Sequence, residues 1–143
     1  MTSREMEALE RVGALKAEAP SRVEYDGLLA SAEARLSDAA RTDLASASRF
    51  DLAYNAAHAL ALAALRRLGF RAGNRRLVFE VLAHTTDLAE TSRRVLVKCH
   101  EQRNFAEYEG LHDVDPRLLD DLIRAADDLR AALRRLTPPD REP

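Results

Sequence analysis

LAYNAAHALALAAL, residues 52–65, is the longest uncharged stretch of this 143-residue chain. Its fourteen residues fall short of the roughly 20 that a membrane-spanning helix needs, and Tyr54, Asn55 and His58 interrupt them. The stretch therefore reads as the buried helix of a water-soluble core. Seven alanines between Ala53 and Ala64 remove side-chain bulk and let neighbouring helices approach closely.

Outward from this helix the pattern stays helical. Gly is scarce, and no segment alternates with the period of two that a half-buried strand shows. The central helix is expected to start at Ser46 or Ser48 and run to Leu68, with Gly69 as its C-terminal stop. Before it, Met6, Leu9, Val12 and Leu15 predict a helix over about 3–18, stopping ahead of Pro20. Ser21 is placed to cap a second over about 22–42, with Leu28, Leu29, Ala32 and Leu36 on one face.

After it, helices are expected over about 74–85 and 87–109, the latter ending at Gly110. A last one is capped by Asp115 with Pro116 at its first position. Its apolar stripe runs Leu118, Leu119, Leu122, Ile123, Ala126, Leu129, Leu133 and Leu136, and Pro138 and Pro139 end it ahead of a frayed tail, 138–143. Five or six helices in one all-α, single-domain bundle are thus expected. The chain has no internal repeat and no Gly/Ser- or Pro-rich linker. A domain of this length buries about two-thirds of its unfolded surface.

Composition narrows the function classes. Apolar residues make up 46% and charged residues 32% of the chain, which argues against disorder. The net charge of −2 provides no global basic field for nucleic acid, so any such binding needs a local patch. MTSREMEALE, residues 1–10, lacks the apolar core of an export signal. Cys99 is the single cysteine. Both features favour a cytoplasmic location, and no membrane association is expected.

Two helices carry polar residues that packing alone does not call for. Ser92, Leu96, Cys99, Arg103 and Ala106 share one face of the helix over 87–109, and Asn104 and Tyr108 form a second row. An Arg on an apolar face needs partners or water. On the Ala-rich helix, Asp51, Asn55 and His58 follow the same spacing, and their types complement a guanidinium. Each residue alone has a plain explanation: a snorkelling Arg, an Asp at a helix N-terminus, a hydrogen-bonded core His. The two rows together point to a polar cleft.

Other chemistries find little support. HEQRN (100–104) lacks the second histidine of a zinc-protease helix. Cys99 and His100 are adjacent, without a spaced His or Cys pair. No metal and no cofactor are expected, and a Cys99–His58 nucleophile pair is disfavoured.

Three segments resemble the HEPN family, small all-α bundles of bacteria, archaea and some eukaryotes. They are SRFDLAYNAAHALALAALRRLGFR (48–71), RNFAEY (103–108) and LLDDLIRAADDLRAALRRL (118–136), so the likeness covers about residues 46–137 and leaves 3–42 as additional N-terminal helices. In the family's nucleases an Arg, often followed by Asn, precedes a His by four to six residues, and these groups meet across a homodimer cleft to cleave RNA without metal. Arg103 and Asn104 match the Arg and the residue after it. Tyr108 stands where His belongs, and the next histidine is His112. A phenol is a poor base near neutral pH, and RNFAEY fits the family's R-x-x-A-[DE]-Y form, which looks like a binding version.

The resemblance implies a homodimer in a toxin–antitoxin or defence-type system, with a nucleotidyltransferase partner and a nucleotide or RNA as ligand. Its cleft would be formed by Arg103, Asn104, Glu107 and Tyr108 with Asp51, Asn55 and His58. One alternative is a metal-independent ribonuclease in which Arg103 and Asn104 are catalytic and His58 or His100 supplies the base. Another is a non-catalytic interaction bundle in which RNFAEY only ties helices together. These readings differ on whether Arg103 faces a cleft or is enclosed within one protomer.

Overall fold

The computed structural model describes residues 4–109 and 114–140, and their side chains except those of 105–109. In chain order the elements are α1 (Arg4–Arg11), β1 (Leu15–Ala17), α2 (Arg22–Ala39), α3 (Ser46–Arg67), β2 (Phe70–Ala72), α4 (Arg75–Glu80), α5 (Leu82–Thr85), α6 (Glu90–Glu109) and α7 (Pro116–Arg134). The fold is a helical bundle organised around the Ala-rich α3. This helix packs most extensively against α2, next against α7, and its remaining sides meet α4, α5 and α6. Ala53, Ala56, Ala57, Ala61, Ala63 and Ala64 are fully buried at 0% exposure, which is what lets helices close on it from several sides. Overpacking this seam strains the backbone: Ala57→Leu is expected to lower stability by about 1–3 kcal/mol, measured as a urea-midpoint shift, and an unchanged midpoint would show that the seam has room.

Several boundaries follow local chemistry. The Ser21 hydroxyl accepts from the Glu24 amide at 3.2 Å and the Asp115 carboxylate from the Arg117 amide at 2.9 Å, so both caps act as anticipated. Gly69, with φ +85°, ends α3 in a left-handed conformation that a side chain would resist. The α7 stripe is buried at Leu118, Leu119, Leu122, Ala126, Leu129 and Leu133, while Ile123 and Leu136 are partly buried against it. The expected stop of α6 at Gly110 lies outside the described residues.

Three expectations are corrected. The first helix ends at Arg11 instead of about 18, because Gly13 takes φ +80° and turns the chain into β1. Leu15 is buried as a strand residue, and Val12 is 78% exposed. Secondly, an antiparallel ribbon joins β1 to β2 in the register Leu15↔Ala72, Lys16↔Arg71 and Ala17↔Phe70. With three residues per strand it is too short to display an alternation. Thirdly, the helix expected over 74–85 is split at Val81, whose ψ of 1° interrupts the α-helical turn without a Gly or Pro. The described residues hold seven helices, against the five or six expected, and the split accounts for the extra one.

The ribbon is pinned by Arg66, whose side chain is only 3% exposed. It donates to Glu24 Oε1 at 2.7 Å and to the carbonyls of Glu18, Ala19 and Phe70 at 2.9, 2.7 and 3.3 Å. Arg71 adds ion pairs to Glu18 and Glu24 at 2.6 and 2.9 Å. Burial pushes the Glu24 carboxyl up, but hydrogen bonds from Arg71 and Arg66 outweigh it and hold the group below the usual carboxylate range. The Arg71 hydrogen bond likewise lowers Glu18.

Candidate functional site

Where α3, α4 and α6 meet, one aromatic and imidazole cluster gathers most of the polar residues singled out in the sequence. Tyr54 comes from α3, Phe79 from α4 and His100 from α6. The Tyr54 hydroxyl and His100 Nδ1 are 2.8 Å apart in a buried hydrogen bond, and the two rings stack with centroids 6.1 Å apart. Phe79 touches both, at 5.8 Å from Tyr54 and 5.9 Å from His100, and meets His58 edge-on at 5.9 Å. Asn104, one turn after His100, hydrogen-bonds its Nε2 at 3.1 Å. Both ring nitrogens of His100 are thereby engaged. Its partners, a phenol and an amide, can each donate or accept and so serve either neutral tautomer.

Arg103 lies across this cluster. Its guanidinium carbon stands 4.9 Å from the Tyr54 centroid, a cation–π distance, and its Nε is 3.7 Å from Asp51 Oδ1. The Arg103 side chain is 28% exposed, so it reaches solvent while resting on a buried ring. Arg75, exposed in the first turn of α4, places its guanidinium carbon 6.0 Å from the same centroid. Arg76 is bound to Glu80 at 2.5 Å and Glu101 at 3.2 Å.

These cations and burial set the imidazole chemistry. Burial first, then Arg75, His100 and Arg103, pull the pKa of His58 down to about 4 from an ordinary 6.5. Burial, followed by Arg76 and Arg75, lowers His100 as well. Both rings are neutral at pH 7. A base with so low a pKa is a weak proton acceptor, whereas guanidiniums carry fixed positive charge and donors shaped for carboxylate or phosphate oxygens. The arrangement suits holding an anion better than moving a proton.

The structure thus brings Arg103, Asn104, Asp51 and His58 together. Asn55 turns away and donates to its own helix, at the Asp51 carbonyl, at 2.8 Å, which removes it from the cluster. The Glu107 and Tyr108 side chains lie outside those described. Ser92 is engaged elsewhere, with Asp128 at 3.1 Å. Cys99 is fully buried, and burial pushes its thiol up to about 12, so it does not serve as a nucleophile beside His58.

Sequence reading did not give His100 its central place, nor Tyr54, Phe79 and Arg75 any place in the site. The i, i+4 pairs His100–Asn104 and Arg75–Phe79 were the available signal. A groove of about 360 Å³ between α4 and α6 borders the cluster through Phe79 and Glu101 and is lined further by Glu80, Arg93, Arg94 and Lys98. Among the described residues no group of three or more His, Cys, Asp or Glu is placed to hold a metal ion, and no helix is long and apolar enough to cross a membrane.

Compared with protein-family models, curated proteins and solved structures, the chain matches none.

Proposed function

We propose that this chain is a HEPN-like helical bundle that binds a nucleotide or RNA through phosphate contacts at the Arg103 cluster. In this reading it is a cytoplasmic homodimer of a toxin–antitoxin or defence-type system, paired with a nucleotidyltransferase. The observation that carries the binding role is the Arg103 guanidinium, its side chain 28% exposed and 4.9 Å over Tyr54, beside two imidazoles kept neutral by burial and cations. Asn104, held on His100 Nε2, stands next to it as the motif's polar residue. The proximity of His58 and His100 to Arg103 favours metal-independent RNA cleavage as the second reading, and their low basicity places it behind binding.

The test uses purified wild type and Arg103→Ala with a fluorescent single-stranded RNA and a mononucleotide competitor, in EDTA. Wild type is expected to bind without cleaving. Arg103→Ala is expected to bind about tenfold or more weakly, the loss of a charge-assisted hydrogen bond. Cleavage by wild type that disappears in Arg103→Ala would establish the ribonuclease in its place. Absence of both binding and cleavage in wild type would leave an interaction bundle.

A further inference from the structure

Three side chains link the core to the surface at this cluster. The Tyr54 hydroxyl lies 2.8 Å from His100 Nδ1, and Asn104 Nδ2 lies 3.1 Å from His100 Nε2. Tyr54 is 1% and His100 7% exposed, whereas Asn104 is exposed. Burial first, then Arg76 and Arg75, hold His100 below its ordinary pKa of 6.5, so the ring is neutral at pH 7. A neutral imidazole carries one proton, and one of its nitrogens donates while the other accepts. The hydrogen bonds along this chain therefore run in one of two opposite directions.

With Nε2 accepting from Asn104, Nδ1 holds the proton and donates to Tyr54. The proton of the phenol then lacks an acceptor, because among the described residues the Tyr54 hydroxyl bonds to His100 alone. A buried donor left unpaired is costly. In the other direction the Tyr54 hydroxyl donates to Nδ1, Nε2 carries the proton, and the Asn104 amide accepts it with its oxygen. An amide exchanges its oxygen and nitrogen by a half-turn about its last torsion. At an exposed position water serves either end, so the turn costs little and the buried hydroxyl decides the direction.

We propose that Tyr54 and His100 are positioning residues that turn the Asn104 NH2 group outward, making Asn104 a hydrogen-bond donor to a phosphate oxygen of the ligand. This rests on the reading of the Arg103 cluster as a phosphate-binding site. The oxygens of a phosphodiester only accept, so an outward amide oxygen would repel them and an outward NH2 group bonds them. Arg103 and Asn104 are neighbours on α6 and rest on neighbouring rings: Arg103 on Tyr54 and Asn104 on His100, with the ring centroids 6.1 Å apart. A buried phenol thereby sets what an exposed amide offers.

The first measurement is long-range proton–nitrogen NMR of the full chain with isotope-labelled histidine at neutral pH, which reports the protonated nitrogen of His100. Protonated Nε2 is expected, and protonated Nδ1 overturns the proposal. Affinities for inorganic phosphate, a mononucleotide and a short single-stranded RNA are then compared. The proteins are wild type, Asn104→Ala, Tyr54→Phe, the double variant and the control Arg94→Gln, an exposed α6 residue paired with Glu90. Circular dichroism confirms unchanged helix content.

Asn104→Ala is expected to weaken binding about tenfold, the loss of a hydrogen bond to a charged group. Tyr54→Phe, which keeps the ring under Arg103, is expected to weaken it about threefold. Added to Asn104→Ala, Tyr54→Phe is expected to cost nothing further, because Tyr54 acts through Asn104. Equal losses in both backgrounds would show that Tyr54 only supports the fold, which overturns its positioning role. RNA binding tighter than mononucleotide binding, and weakened in Asn104→Ala, supports the proposal with an internal phosphodiester as the source. The reverse order supports it with a terminal phosphate. Wild-type affinity in Asn104→Ala overturns the proposal and leaves the Arg103 site standing. Absence of wild-type binding to all three probes overturns both.

Discussion

Arg66→Ala is expected to lower the stability of the fold by about 3 kcal/mol, the low end of the 3–5 kcal/mol typical of breaking a buried ion pair. The Arg66 side chain is 3% exposed, and its donors reach the Glu24 carboxylate and the backbone carbonyls of Glu18, Ala19 and Phe70. Truncation leaves those acceptors facing a cavity. The low end applies because the Glu24 and Glu18 side chains keep 31% and 50% exposure and retain Arg71. Arg71→Ala tests this directly, since it contacts the same carboxylates from a 38% exposed position. Pairs at such exposure contribute about 1 kcal/mol or less. Urea denaturation of both variants checks the pair of values. Equal losses would mean that water replaces the buried guanidinium.

A second large effect is a loss of stability on acidification, traceable to His58. Its folded pKa is about 4 and its ordinary value 6.5. Between these values the unfolded chain takes up a proton that the folded chain does not. The contribution is therefore complete above pH 6.5 and is lost as pH falls toward 4. That difference would correspond to about 3 kcal/mol at full burial, and the partial exposure of the ring brings this to about 2 kcal/mol.

His100 is lowered too and adds a change of the same sign. The depressed carboxyls of Glu18 and Glu24 also favour the fold at higher pH, but their contribution fades only below the ordinary carboxylate value of 4.5. The window from pH 6.5 to 4.5 therefore isolates the imidazoles. Urea midpoints of wild type at pH 7.5 and 4.5 are expected to differ by that amount. His58→Phe, which keeps a ring against Phe79, is expected to lose most of the difference. A wild type that is flat across this window would show that His58 is solvated in the fold.

The elements legible in the sequence are those whose causes are local. The Ser21 and Asp115 caps, the Gly69 stop, the Ala-rich helix and the α7 stripe each depend on residues within a few positions of one another, and each is present. The β1–β2 ribbon was not legible, because Leu15 finds its partner at Ala72 and three-residue strands carry no period. The break at Val81 has no Gly or Pro to announce it, and packing of Val78, Phe79, Val81 and Leu82 into the core sets the direction of both short helices.

The site divides along the same line. Helical spacing alone put Arg103 on one face of its helix with Asn104 in the row beside it, and aligned Asp51, Asn55 and His58, since residues three and four apart on a helix share a face. Which of these rows would meet, and around what, depended on how three helices pack. Tertiary packing made His100 the hub, by setting Tyr54 against its Nδ1, and drew Arg75 from α4 to the ring that Arg103 covers. It also left Asn55 bonded to its own helix. Amino-acid order determined the helices and the residue types on their faces, because caps, breakers and periodicity act over one or two turns. The pairing of those faces was decided only in the folded chain, where burial of the alanine face of α3 leaves few ways for α4 and α6 to close over it.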